Sequence, residues 1–144
     1  MTGPGPFDLQ RFVEAQRGTM ERALSELRSG RKTSHWMWFV FPQVAGLGHS
    51  EMARRYAISS LAEARAYWGH DELGPRLRRC AEVLLSVEGR SAREIMGSPD
   101  DLKLRSSMTL FAQAVPDEPL FREVLVRYFD GRPDPATLER LGSQ

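Results

Sequence analysis

The sequence predicts an all-α protein, a single-domain irregular orthogonal bundle of six to eight helices, several of them short. Three observations carry that expectation. Helix start signals recur along the chain: capping boxes at Ser60-Leu61-Ala62-Glu63 and Ser91-Ala92-Arg93-Glu94, and proline starts at Gly74-Pro75, Ser98-Pro99 and Asp134-Pro135. Apolar residues between these signals return at spacings of three and four. No alternating apolar–polar run is flanked by a two-residue glycine turn, as a hairpin would require.

The elements follow in order. Residues 1–6 are Gly/Pro-rich and read as a disordered lead-in to a helical domain over 7–144. Asp8 is placed to cap a first helix over 9–28, with Phe7 stapling to Phe12 and apolar positions at Leu9, Phe12, Val13, Met20, Ala23, Leu24 and Leu27. Gln16 interrupts that stripe, Gly18 weakens its middle, and Gly30 is suited to close it. The run Trp36-Met37-Trp38-Phe39-Val40-Phe41 fits either a buried strand or a short buried helical turn, and Pro42 ends it. Ser50 then caps a short helix through Ile58, and Ser60 starts one that Gly69 ends. Pro75 opens a helix to 88 with Leu77, Cys80, Ala81, Leu84 and Leu85 on its apolar face. Ser91 leads a short helix to Gly97. Pro99 begins one with the stripe Leu104, Met108, Phe111 and Val115, stopped by Pro116. Asp117 is expected to cap a helix through Phe121, Val124, Leu125, Tyr128 and Phe129, and Asp134-Pro135 starts a last one ending near Leu141.

Composition narrows the functional classes. Twenty Lys+Arg against nineteen Asp+Glu leave a formal charge of +1 in 144 residues, so neither duplex nucleic acid nor an anionic membrane is expected as the main partner. A single cysteine, Cys80, excludes an internal disulfide framework and fits a reducing compartment. With no signal peptide and no apolar run near 18 residues, a cytoplasmic protein is expected. His35, His49 and His70 lack metal-ligand spacing, so no metal is expected. No G-x-G-x-x-G, P-loop or G-x-S-x-G motif is present, and no cofactor is expected.

The stretches Ser34-His35-Trp36-Met37-Trp38-Phe39-Val40-Phe41-Pro42-Gln43, Tyr56-Ala57-Ile58-Ser59, Leu73-Gly74-Pro75-Arg76-Leu77 and Asp101 through Phe111 together resemble a bacterial domain-of-unknown-function family, DUF1810, whose members sometimes carry the name calpastatin. The resemblance runs from about Phe7 to Leu141 and implies a small, predominantly helical, cytoplasmic protein with no assigned reaction. The compact patterning here is unlike a disordered protease-inhibitor repeat. The C-terminal half is also similar in outline to helical proteins that act on ADP-ribose and related ribosides, in which a Met and a Lys-Phe pair follow a Trp. Met108 and Leu110-Phe111 align with that pattern, but the lysine is absent, and no catalytic residue is carried over.

Two segments hold the candidate site residues. On the helix after Pro99, Ser106, Ser107 and Thr109 stand where glutamate, lysine or glutamine would suit a solvated face. They fit either close helix packing with back-bonding to the preceding turn or a hydroxyl-lined pocket charged by Lys103 or Arg105. The start of that helix is not an anion site, because Asp100 and Asp101 already complement its dipole, so any anion there falls to Lys103 and Arg105. In the other segment, Trp36 and Trp38 fit either the core or a ligand wall on which a base stacks, with His35 and Gln43 as polar contacts. His35, beside Ser34 and the aromatic run, is the best candidate for acid–base work, though such a histidine more often simply borders a core. The leading expectation is a pocket between 35–43 and 103–111 for a nucleotide or ADP-ribose-type molecule. The alternative is a non-enzymatic protein-interaction module in which every one of these motifs is core packing.

Overall fold

The computed structural model describes residues 7–142; the lead-in expected over 1–6 lies outside the described residues. Among the described residues the chain forms ten helices and no strand: α1 (Gln10–Gln16), α2 (Met20–Arg28), α3 (Met37–Val40), α4 (Glu51–Arg55), α5 (Leu61–Gly69), α6 (Leu73–Ser86), α7 (Ala92–Met96), α8 (Asp100–Ala114), α9 (Leu120–Phe129) and α10 (Pro135–Gly142). The protein is all-α. Ten exceeds the expected six to eight for two local reasons. The helix expected over 9–28 breaks at Gly18, whose φ of +78° leaves the right-handed helical region. The aromatic run adds a single helical turn, α3, and Phe41 ahead of Pro42 has left helical geometry (φ −126°, ψ 73°). Among the described residues no helix is long and apolar enough to cross a membrane.

Several boundaries follow from local chemistry. The Ser91–Glu94 box is complete: Ser91 accepts the Glu94 N–H and Glu94 accepts the Ser91 N–H. At Ser60 the hydroxyl accepts the Glu63 N–H, but the Glu63 carboxylate accepts the N–H of Ser59 (2.7 Å), one residue upstream of a box. Asp8 does not cap α1; Leu9 holds the N-cap position, and the Asp8 carbonyl accepts the Arg11 guanidinium instead. Helix α4 stops at Arg55, three residues before the expected end. Helix α6 begins at Leu73, because the His70 Nδ1 accepts the N–H groups of Glu72 (3.1 Å) and Leu73 (3.2 Å). Glu118, and not Asp117 as the sequence predicts, accepts the Leu120 N–H at the start of α9.

The core is organised around α8, which packs against α5, α7, α9 and α10, while α6 packs against α2, α5 and α9. Leu104, Met108 and Phe111 turn a fully buried stripe inward, as the spacing predicts. A run of rings crosses the interior: Phe12 meets Tyr67 edge-on at 5.1 Å, Tyr67 meets Phe111 at 5.4 Å, and Phe111 meets Phe121 at 5.5 Å. Gln16, the polar break in the first apolar stripe, is buried as well. Its amide donates to the Phe39 carbonyl (2.7 Å) and the Tyr67 hydroxyl (2.9 Å), which removes the penalty of an unpaired buried amide.

Candidate functional site

The site grows from the end of α2. Gly30 (φ +72°) closes that helix with a paired turn: its N–H reaches the Leu27 carbonyl, and the Arg31 N–H reaches the Glu26 carbonyl at 3.0 Å. The turn sends residues 32–36 back across the last turn of α2, over the buried Glu26. Glu26 Oε1 accepts the N–H groups of Thr33 (2.8 Å) and Ser34 (3.0 Å) and the indole N–H of Trp36 (3.0 Å), and Oε2 accepts the Ser34 hydroxyl. Burial alone would raise the carboxyl pKa. The hydrogen bonds from Ser34, Thr33 and Trp36 outweigh it and hold the group at about 2, so Glu26 stays ionised. Trp36 is therefore a core residue, fully buried with its N–H engaged.

Next to this anchor the chain meets the first turn of α8. Lys32 is nearly buried, with its side chain 7% exposed, and its ammonium pairs with Asp100 (2.8 Å), donates to the Ser34 carbonyl (2.6 Å) and lies 5.0 Å from the centre of the Trp36 ring. Lys103 shares the same Asp100 carboxylate at 3.7 Å and is more open, with 29% of its side chain exposed. The Lys103 ammonium also lies 5.7 Å from the centre of the half-buried Trp38 ring. Segments 35–43 and 103–111 thus meet at Trp38 and Lys103.

The other candidates disperse. The Arg105 guanidinium donates to the carbonyls of Arg132 and Pro133, both at 2.9 Å. Ser106 donates to the Leu102 carbonyl and to Asp134 Oδ2, each at 3.1 Å. Thr109 donates to the Arg105 carbonyl (2.8 Å) and accepts the Asp134 N–H (2.8 Å). These three residues fasten the entry of α10. Ser107 lies apart from them, fully buried. Gln43 lines a different cleft of about 160 Å³ with Gly46, Gly48, Ala53 and Arg54. His35 is exposed, and the Ser34 hydroxyl beside it is turned to Glu26 instead of the imidazole.

Sequence reading missed Glu26, Lys32 and Asp100 as site residues. The signal was present for Glu26: it falls three residues after Ala23 and just before Leu27, a carboxylate on an otherwise apolar stripe. Lys32 and Asp100 carry no such mark, because their pairing depends on how the turn at Gly30 returns the chain. Among the described residues no group of three or more His, Cys, Asp or Glu side chains is arranged to hold a metal ion. Cys80 is buried in α6, and burial pushes its thiol up to about 12 against the opposing pull of Arg28 and Arg79.

Comparison with known proteins agrees with this architecture. Over 95% of its length the chain resembles the crystal structure of the conserved hypothetical protein Rv1873 from Mycobacterium tuberculosis, with 55% sequence identity, a TM-score of 0.93 and 98% of that chain covered. No curated protein matches. The family model described as "Protein of unknown function (DUF1810)" matches residues 6–141, nearly the whole chain. The chain belongs to the DUF1810 family.

Proposed function

We propose that this protein is a cytoplasmic binding protein for a nucleotide or ADP-ribose-type small molecule, held where residues 32–38 meet the first turns of α8. One observation carries the reading: two lysine ammonium groups share the single carboxylate of Asp100 beside the half-buried indole of Trp38. An indole face stacks any nucleobase, and an ammonium group pairs with phosphate. Lys103 is the freer of the two cations, since it is the more exposed and stands farther from Asp100. In this reading Trp38 stacks the base, Lys103 holds phosphate, and His35 offers an exposed polar contact. Trp36 serves the core, and Gln43 takes no part.

The test is a thermal-shift series with AMP, ADP-ribose and NAD on the wild-type chain and on Trp38→Ala and Lys103→Ala. A ligand that binds only the native state raises the melting temperature as its concentration rises. The expected result is stabilisation of the wild type that either substitution removes. No shift at millimolar ligand, or a shift that both variants retain, overturns the reading.

A further inference from the structure

The cleft that holds Gln43 shares no residue with the Lys103–Trp38 contact and differs from it in chemistry. It forms where residues 43–45 run beside Ile58. The Ile58 N–H donates to the Gln43 carbonyl and the Ala45 N–H to the Ile58 carbonyl, each at 2.8 Å. The chain then passes through Gly46 and Gly48 into α4. Gly46 has φ +97°, and Arg140 of α10 lies against it: a Cβ there would stand 1.6 Å from Arg140 Nη2. A Cβ on Gly48 would stand 2.6 Å from the Ala53 Cβ. Bare backbone therefore forms this wall of the cleft.

Hydrogen bonding in the lining is one-sided. The carbonyls of Gln43, Ala45 and Ala57 already accept, from the Ile58 N–H, from Arg140 Nε (3.2 Å) and from Arg11 Nη2 (2.7 Å). The donors are unused. Among the described residues, the N–H groups of Gly46 and Gly48, the Gln43 side-chain amide and the Arg54 guanidinium have no hydrogen-bond partner. No carboxylate lines the cleft. Free donors beside an unpaired guanidinium, with the neighbouring acceptors occupied, suit an anion. The volume of about 160 Å³ equals the share of about five waters, which admits a tetrahedral oxyanion and excludes a whole nucleotide.

We infer that this cleft binds a phosphate-type oxyanion. Arg54 is its principal cation, Arg140 adds positive charge at the edge, and the Gly46 and Gly48 N–H groups with the Gln43 amide complete the donor set. The inference is independent of the nucleotide reading. A free ion and the phosphoryl end of a larger molecule present the same chemistry here.

The experiment follows the Gly46 and Gly48 amide resonances of labelled protein during titration with inorganic phosphate, and with phosphoserine, at constant ionic strength. Both resonances should move saturably. Arg54→Ala should weaken phosphate binding about tenfold or more. Arg54 is exposed and unpartnered, so the phosphate-free variant should melt as the wild type does. Lys103→Ala should leave the glycine movements in place. Tighter binding of phosphoserine supports a phosphoryl-bearing ligand, and tighter binding of phosphate supports the free ion. Glycine resonances unmoved at tens of millimolar of either probe, or movements that Arg54→Ala retains in full, overturn the inference and leave the nucleotide reading standing. Movements abolished by Lys103→Ala and kept in Arg54→Ala place the anion at Lys103 and overturn it as well.

Discussion

The carboxylate of Glu26 accepts the indole N–H of Trp36 at 3.0 Å, and the same oxygen accepts the backbone N–H groups of Thr33 and Ser34. One side chain in the last turn of α2 therefore fixes the path of the segment that carries Lys32 and Trp38. Removing that acceptor strands a buried indole donor. Glu26→Ala should cost about 2–3 kcal/mol, read by chemical denaturation, with Glu26→Gln costing less because one acceptor oxygen survives.

The same residue gives a pH signature. Its folded pKa of about 2 lies below the ordinary value of 4.5, so its contribution is complete above pH 4.5 and is lost as pH falls toward 2. The stability gap between wild type and Glu26→Gln should be constant near neutrality and narrow between pH 4.5 and 2. Denaturation curves at stepped pH check it; a gap that widens on acidification would contradict the assignment.

Asp134 joins α8 to α10. Its Oδ2 accepts from Ser106 Oγ, from Thr137 Oγ1 (2.6 Å) and from the Thr137 N–H (3.0 Å). Asp134→Ala removes a helix cap and the tie to α8 together and should cost about 1–2 kcal/mol. Hydrogen exchange should then show faster opening confined to α10.

Gly74 is required by proximity. A Cβ there would lie 2.1 Å from the Trp68 carbonyl oxygen, a backbone atom that cannot swing aside. Gly74→Ala should cost about 2–3 kcal/mol by forcing α6 away from the end of α5, measured as a lower denaturation midpoint.

The fold was legible where local chemistry decides it. Ser91–Glu94 is a capping box in sequence and in structure, Gly30 closes α2, and the Leu104, Met108 and Phe111 stripe is the buried face of α8. Periodicity could not see the break at Gly18, since 3.6-residue spacing continues across it, nor choose strand or helix for Trp36–Phe41. The candidate site was legible in half. Trp38 and Lys103, from the two unusual segments, do meet, and of the two readings of the hydroxyl row Ser106 and Thr109 follow the packing one, each bonding the carbonyl four residues back. Helical geometry divides it: Ser106 and Thr109 reach the α10 entry, while Ser107 is fully buried on the side of α8 that carries Leu104 and Phe111. Long-range partners such as Lys32 with Asp100 leave no periodic trace.

The central claim is that Trp38, and not the buried Trp36, receives a ligand base beside Lys103. Its most direct test is the indole N–H spectrum of isotope-labelled protein titrated with AMP or ADP-ribose. The Trp38 indole resonance should move saturably, the Trp36 resonance should stay near its place on Glu26, and Lys103→Ala should abolish the movement. An unmoved Trp38 at millimolar ligand, or movement confined to Trp68, would contradict it.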